Sequence, residues 1–197
     1  IVLLARRDTE EVSAPVAPGM PNLGVMLPYT PLHHLLLSGD LTALVMTSAN
    51  QTDEPICTGN SEALKRLKGI ADCYLVHNRD IVVRCDDSVA LVAAGEPRLL
   101  RRSRGYAPQP VVLKGKYPPV LALGAHLKAS VCVLREDCAF LSPHIGDLET
   151  PEARDFLNEN IRLMQRIAEC DPRIVACVLH PGYYTTSVAR KLGIARV

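Results

Sequence analysis

The chain has 197 residues, 48% of them hydrophobic, and a formal net charge of +1 at neutral pH. This length allows one large domain or two small ones, and the small charge excludes a global field that would attract nucleic acid or a membrane surface. No apolar run approaches the roughly 20 residues that span a bilayer, and no signal peptide is visible.

The seven cysteines include no C-x-x-C pair and lie mostly in apolar stretches. This pattern predicts buried thiols in a reducing compartment, so we expect a cytoplasmic protein. The chain opens on an apolar segment at Ile1, without an initiator methionine, which indicates a piece of a longer protein.

The first elements are short. Residues 1–5 and 24–27 read as strands, separated by a loop rich in proline. Pro31 predicts the start of a helix and Gly39 its end.

Residues 44–50 are an apolar run that ends in small, hydrogen-bonding side chains. Such a run is typical of a buried strand, and ligands bind beyond the carboxyl ends of strands in open α/β sheets. The hydroxyl and amide groups of Thr47, Ser48 and Asn50 could hydrogen-bond a nucleotide without adding charge. The alternative is a strand followed by a polar turn without a ligand, and this segment alone favours that alternative.

A second polar cluster follows a helix predicted over residues 60–67 and a strand predicted over residues 73–76. Arg84, Asp87 and Ser88 stand just before a strand predicted over residues 89–93. An arginine beside adjacent carboxylates is compatible with a magnesium or phosphate site. A salt-bridged turn is equally compatible, and without context it is the favoured interpretation.

The segment around residues 98–104 is rich in arginine. A charged edge strand is one interpretation. Guanidinium groups also bind phosphates bidentately, so the proximity of these arginines to other strand ends slightly favours an anionic ligand. We therefore expect one cleft, within reach of one nucleotide, to collect Ser48, Asn50, Arg84, Ser88, Arg102 and Arg104.

Residues 107–119 contain four prolines without periodicity, which predicts a linker between two domains. A strand at residues 120–123 then leads into a glycine turn that contains Lys128. Strands at residues 130–134 and 138–141, around a tight turn at residues 135–137, complete this region. A strand, a glycine turn with a lysine and a return strand begin actin-like ATPase folds, but any β-hairpin looks the same.

The last part of the chain contains polar loops after predicted strands. Ser142, His144 and Asp147 occupy one loop, and His180 follows a buried strand predicted over residues 175–179. Between them, a capped helix that begins with proline is predicted from residue 151 to about residue 169, with one apolar stripe facing the core. A short helix over residues 186–192 precedes a further strand.

Seven blocks occur in this order: LGVMLPYTPLHHLLL, LVMTSAN, HNRDIVVRCDDSV, LLRRSRGYAP, LALGAHLKASVCVL, LSPHIGDLE and LHPGYYTT. Together they resemble the hydrogenase-maturation carbamoyltransferases of the HypF family, over essentially the whole chain. The resemblance implies an α/β fold, with the C-terminal part of a YrdC-like twisted mixed sheet over residues 1–108. It further implies a linker over residues 109–118 and, over residues 119–197, the start of an actin-like (ribonuclease H-like) carbamoyltransferase domain.

The resemblance also implies ATP-dependent carbamoyl transfer. The YrdC-like domain would form carbamoyl adenylate from carbamoyl phosphate and ATP with magnesium, and the second domain would pass the carbamoyl group to a C-terminal cysteine of the partner HypE. Such transfer needs positioning and charge stabilisation, so no cysteine of this chain is required as a nucleophile. The implied nucleotide or adenylate ligands are Thr47, Ser48, Asn50, Arg84, Asp87, Ser88, Arg102 and Arg104, and the second-domain candidates are Lys128, Ser142, His144, Asp147 and His180.

The sequence departs from the family pattern at His126 and Gly182, where acids are expected. Related carbamoyltransferases bind metal through two histidines four residues apart, and no two of the six histidines here have that spacing. Zinc or iron is therefore expected only in the full-length parent protein. We expect this chain alone to bind no metal and to complete no carbamoyl transfer.

Two other functions stay open at this stage. The same pair of folds serves tRNA threonylcarbamoylation, which is the alternative enzyme activity. A YrdC-like module that binds RNA without catalysis is the alternative of another class, and the net charge of +1 argues against it.

Overall fold

The computed structural model describes residues 1–7 and 12–197, which form two compact units of mixed α/β structure. The first unit comprises Ile1–Ser48 and Asp87–Arg101, and the second comprises Ala49–Asp86 and Arg102–Val197. Each unit is built on a four-stranded sheet that contains parallel and antiparallel pairs. The predicted α/β class is confirmed, while the predicted domain limits at residues 108 and 119 stay a prediction.

The sheet of the first unit has the strand order β2-β1-β3-β4. Its strands are β1 (Val2–Ala5), β2 (Asn22–Val25), β3 (Val89–Ala93) and β4 (Glu96–Arg101). Helix α1 (Pro31–Leu36) is capped by Thr30, whose hydroxyl accepts the N–H of His33 at 3.2 Å. Ala94 and Gly95 have φ angles of 53° and 77°, as a two-residue hairpin turn between β3 and β4 requires.

Two predicted strands do not form. Residues 44–47 and 73–76 have no strand conformation, and the side chains of Val45 and Met46 are 76% and 55% exposed. A strand is defined by the backbone hydrogen bonds that it exchanges with a neighbour. Within the described part of the chain neither segment pairs with another strand, so apolar composition alone gave the wrong prediction.

The second unit contains the core. Its sheet order is β6-β5-β7-β8, with strands β5 (Val111–Leu123), β6 (Val131–Leu141), β7 (Ile174–Cys177) and β8 (Ala195–Arg196). Its helices are α2 (Asn60–Arg66), α3 (Pro151–Ile167) and α4 (Tyr184–Lys191). The apolar stripe of α3 packs on the sheet as predicted, with Leu157 and Met164 fully buried against side chains such as Leu121 and Val133.

Strands β5 and β6 are longer than predicted. Residues 111–118, predicted as a linker, begin β5, and the expected turn at residues 135–137 lies inside β6. Gly115 and Glu136 have φ angles of 94° and 54°, and the pairing shifts register between Val112 and Tyr117. The turn-forming residues therefore produce an irregularity within a continuing antiparallel pair, which is how strands absorb extra residues.

The cysteines are all free, and their burial is mixed. Cys57 is buried, whereas Cys73 is exposed, so the predicted burial is wrong for Cys73. Burial raises the pKa of the Cys57 and Cys132 thiols. No helix in the described ranges is long and apolar enough to cross a membrane.

Candidate functional site

The carboxyl ends of β5 and β7 lie side by side, because these strands are parallel and Leu123 pairs with Cys177. His126 follows β5 and His180 follows β7. The ring of Tyr183 stacks with both imidazoles, at centroid distances of 5.4 Å to His126 and 4.1 Å to His180. The two histidines therefore come together at the sheet edge where α/β proteins commonly bind ligands.

The loop that contains Lys128 is fixed to the loop that contains Asp147. The main-chain N–H of Lys128, which has a φ of 50°, donates to Oδ1 of Asp147 at 2.6 Å. Ala129 and Gly146 extend this connection with a backbone hydrogen bond of 2.8 Å. The Lys128 side chain remains exposed, so a cation stands beside the histidine edge on a constrained backbone.

Gly124 allows the chain to turn sharply after β5. Its N–H donates to the carbonyl oxygen of Ser130 at 3.1 Å. A Cβ atom at this position would lie only 2.8 Å from the same oxygen. The close approach of the two backbone segments therefore requires glycine.

Two polar atoms near this edge are buried without a hydrogen-bond partner among the described residues: Nδ1 of His126 and Oγ1 of Thr185, in the first turn of α4. Buried polar atoms are normally paired, so such atoms mark places where a ligand or water completes the bonding. In the sequence, His126 stands out only as a departure from a family pattern, and Tyr183 and Thr185 were not among the predicted site residues. The aromatic residues of the HPGYY segment were the available signal.

The other second-domain candidates have structural partners. The buried hydroxyl of Ser142 accepts the N–H of Val131 at 3.0 Å and donates to the carbonyl of Pro143 at 2.8 Å. The N–H of half-buried His144 donates to the carbonyl of Arg102 at 3.2 Å. His180 is exposed, and its Nδ1 accepts the N–H of Gly182 at 3.2 Å. Lys128 and His180 are therefore exposed, Asp147 is half-buried and bonded to Lys128, and Ser142 holds the end of β6.

The eight residues assigned to the nucleotide are divided between the two units, and their convergence on one nucleotide stays a prediction. In the first unit, Thr47 and Ser48 are exposed, Asp87 is half-buried, and Ser88 is buried. The carbonyl of Ser88 accepts the amino group of Ile1 at 2.8 Å. The second unit contains Asn50, Arg84, Arg102 and Arg104.

Asn50 and the two later arginines organise local backbone. The amide of Asn50 donates to the carbonyls of Gln51 and Glu54, at 2.9 and 3.0 Å, and so folds the turn that follows Ala49. The guanidinium of Arg102 donates to the carbonyls of Tyr106 and Gln109 at 2.9 and 2.7 Å. The guanidinium of Arg104, whose side chain is exposed, donates to the carbonyl of Cys85 at 3.1 Å.

Arg84 is engaged on several sides. Its Nε donates to the carbonyl of Ile56, and its Nη1 donates to Oε2 of Glu159, both at 2.9 Å. Nη2 lies 3.7 Å from Glu62, and the guanidinium carbon lies 5.7 Å over the Phe156 ring. Two donors of Arg84 therefore have acceptors within the protein, while its predicted role as a nucleotide ligand stays a prediction.

The carboxylate of Glu62 interacts with four partners, two main-chain N–H groups and two guanidinium groups. Burial alone would raise the pKa of Glu62. The N–H groups of Thr58 and Gly59 and the guanidinium groups of Arg66 and Arg84 stabilise the charged form more strongly, so the pKa lies below its ordinary value.

A groove of about 680 Å³ runs beside α3 and is lined by Phe156, Asn160, Leu163 and residues 82–84, among others. Arg84 is the one predicted ligand that lines it. The groove is therefore a feature separate from the histidine edge. Within residues 1–7 and 12–197, no group of three or more His, Cys, Asp or Glu side chains is placed so that it could hold a metal ion.

Two family models together match most of the chain. Residues 1–103 match the Sua5, YciO and YrdC model, described as telomere recombination, and residues 115–197 match the model of the HypF Kae1-like domain. The chain is 45% identical over 211 residues to Carbamoyltransferase HypF2 of Cupriavidus necator, covering 98% of this chain and 26% of that protein. It is also 45% identical over 202 residues to Carbamoyltransferase HypF of Rhizobium leguminosarum bv. viciae, with the same coverages of 98% and 26%.

Solved structures of HypF proteins also match the chain. The crystal structure of full-length HypF in the phosphate- and nucleotide-bound form matches with a TM-score of 0.95 and 43% identity, covering 100% of this chain and 31% of that one. T. kodakarensis HypF matches with a TM-score of 0.94 and 33% identity, covering 100% and 27%. The chain therefore combines a YrdC-like part with a part that matches the Kae1-like domain of HypF, and it spans about a quarter of the length of its curated relatives. It belongs to the HypF carbamoyltransferase family.

Proposed function

We propose that this chain forms part of an enzyme that makes carbamoyl adenylate from carbamoyl phosphate and ATP and transfers the carbamoyl group to HypE during [NiFe]-hydrogenase maturation. Family membership supports carbamoyl transfer in general. The HypF names of the relatives favour hydrogenase maturation over tRNA modification as the context. The free cysteines fit a cytoplasmic setting, which is part of the proposal.

In the first step, carbamoyl phosphate is hydrolysed by water to carbamate and inorganic phosphate. An oxygen of carbamate then attacks the α-phosphorus of ATP, a new P–O bond forms, and the bond from the α-phosphorus to the bridging oxygen breaks as pyrophosphate leaves. Magnesium bound to the nucleotide would neutralise phosphate charge. We assign nucleotide binding to Thr47, Ser48, Asn50, Asp87, Ser88, Arg102 and Arg104. Arg84 is left out because two carboxylates and a carbonyl already engage its guanidinium.

In the second step, the thiolate of an acceptor cysteine attacks the carbamoyl carbon. An S–C bond forms, the C–O bond to the adenylate breaks, and AMP leaves with its phosphate charge. The proton of the acceptor thiol passes to a base or to water. The enzyme needs to orient the adenylate and to stabilise the charge that develops on oxygen, which fixed N–H groups and cations do well.

The observation that carries this proposal is the edge formed by His126, Lys128, Asp147 and His180. Lys128 supplies an exposed cation on a backbone that Asp147 holds. The buried Nδ1 of His126 supplies an unpaired hydrogen-bonding atom. We propose that this edge binds the phosphate side of the adenylate during transfer.

Lys128→Ala tests this role. In a full-length enzyme that contains this chain, transfer to the acceptor should fall by roughly 10-fold or more, because a hydrogen bond to a charged group contributes about 1.5–3 kcal/mol. Lys114→Ala is the matched control, since Lys114 is also exposed but lies in the first part of β5. The two rates are measured by mass spectrometry of the carbamoylated acceptor. Equal rates in both variants would remove Lys128 from the site.

A further inference from the structure

A continuous set of charged side chains joins α3 to the turn that contains Asn50. In order along the set, the members are Glu159, Arg84, Glu62, Arg66 and Glu54. Each acid contacts at least one arginine, and each arginine contacts two acids. All five belong to the second compact unit.

At the α3 end, Arg84 makes the connection. Its guanidinium binds Glu159 of α3 at 2.9 Å and lies 5.7 Å over the ring of Phe156, which is also on α3. Its Nε binds the carbonyl of Ile56 at 2.9 Å. A planar guanidinium with fixed donors suits this use better than a flexible ammonium, because several acceptors are bound in one geometry.

At the other end, Arg66 makes the connection. Its Nε donates to Glu54 at 3.0 Å, and its Nη2 donates to the carbonyl of Pro55 at 3.0 Å. The carbonyl of Glu54 accepts the side-chain amide of Asn50, and the amide of Gln51 donates to the carbonyl of Arg66 at 2.6 Å. The turn over residues 50–55 is therefore held by the same network that begins on α3.

The network crosses the border between the two family matches. Residues 50–84 lie in the part that matches the YrdC model, and α3 lies in the part that matches the HypF Kae1-like model. The side chains of Arg66, Glu62 and Arg84 are 20%, 29% and 21% exposed, so solvent screens these pairs less than it screens fully exposed ones.

We propose that Glu159 of α3 is a positioning residue that, through Arg84 and the network, sets the conformation of the Asn50 turn. The importance of this turn for nucleotide binding rests on the proposed function, whereas the positioning itself does not. Because a chain of contacts alone is no proof of energetic coupling, the test must measure coupling directly.

Hydrogen exchange of the purified protein provides the first measurement. In Glu159→Gln, the amides of Glu54 and Cys57, which bond to the carbonyls of Gln51 and Ala49, should exchange several-fold faster than in the wild type. Glu159 is 50% exposed, so this substitution leaves the packing of α3 intact. Asp155→Asn is the control, one turn earlier on the exposed side of the helix, and it should leave these amides unchanged. Unchanged exchange in Glu159→Gln would overturn the inference.

A double-mutant cycle with Arg84→Met shows whether Glu159 acts through Arg84. The exchange effect of Glu159→Gln should largely disappear in the Arg84→Met background. Additive effects would contradict a route through Arg84. Glu159→Asp, which retains the charge, should restore part of the wild-type protection.

The ATP dependence of pyrophosphate formation distinguishes the positioning role of Glu159 from the proposed role of the Asn50 turn in nucleotide binding. Glu159→Gln should raise the KM for ATP several-fold with little change in kcat, the pattern of a weakened binding interaction. Faster exchange together with an unchanged KM would uphold the positioning role and reject the turn as part of the nucleotide site. Unchanged exchange rejects the positioning role whatever the KM.

Discussion

The main-chain N–H of Lys128 donates to a carboxylate oxygen of Asp147 across 2.6 Å, although the two residues are 19 positions apart in the chain. A carboxylate that accepts a main-chain N–H forms a charge-assisted hydrogen bond, which is stronger than a neutral one. This bond fixes the loop after β5 against the loop after β6. It gives the exposed amine of Lys128 a defined position at the edge of the sheet.

Removing this bond should loosen the edge. We expect Asp147→Ala to lower the free energy of unfolding by about 1 kcal/mol, because solvent screens a hydrogen bond at an exposed site. Asp147→Asn keeps an acceptor oxygen and should lose less. Urea unfolding of both variants is the measurement, and an equal loss in the two would show that the hydrogen bond contributes nothing.

A side chain at position 124 should destabilise the folded state. We expect Gly124→Ala to lower the free energy of unfolding by about 1–3 kcal/mol, because the new Cβ would meet the carbonyl oxygen of Ser130 at 2.8 Å. At Gly39 a Cβ would meet nothing within 4 Å, so Gly39→Ala is the control. Thermal unfolding compares the two. A Gly124→Ala protein as stable as the control would mean that the turn relaxes without cost.

Glu62 should make stability depend on pH in the acid range. Because the folded chain holds its pKa below the ordinary value of 4.5, the folded state favours the carboxylate. The resulting stability is present above the ordinary pKa and is lost as the pH falls through the lowered pKa of the folded state.

Glu62→Gln should therefore flatten the fall in unfolding free energy below about pH 5, measured by urea unfolding at several pH values. Glu149→Gln, at an exposed position, should keep the wild-type pH profile. A profile of Glu62→Gln that matches the wild type would place the acid sensitivity elsewhere.

Arg104 should bind nucleotide phosphate if the assigned ligands converge. Its side chain is exposed and donates to the carbonyl of Cys85, the residue that directly precedes the Asp86–Ser88 segment. Arg104→Ala should weaken ATP binding by about 1.5–3 kcal/mol, the contribution of a hydrogen bond to a charged group. Calorimetry on the mutant and the wild type measures this, and equal affinities would reduce Arg104 to a surface charge.

Much of the fold could be predicted where the signals are local. The cap and proline at Thr150 and Pro151 define the start of α3, and Pro31 defines the start of α1. Strand pairing is not local. A similar apolar composition gives a paired strand at Val89–Ala93 and no strand at residues 44–47. The difference arises because Val89–Ala93 lies between two strands with which it exchanges hydrogen bonds.

The candidate site shows the same limit. Lys128, Asp147 and His180 could be selected because each follows a predicted strand. The stacking of Tyr183 with His126 and His180 could not be predicted from the sequence, since it depends on β5 and β7 being parallel neighbours. The engagement of Arg84 by Glu159 depends likewise on α3 lying against residues distant in sequence.

The most direct test of the central proposal is mass spectrometry of the products that a full-length enzyme containing this chain forms with ATP, magnesium, carbamoyl phosphate and HypE. We predict a carbamoyl group on the C-terminal cysteine of HypE, with AMP and pyrophosphate released in equal amounts. Formation of ADP and phosphate without a modified cysteine, or of a threonylcarbamoyl adenylate when threonine is supplied, would contradict it.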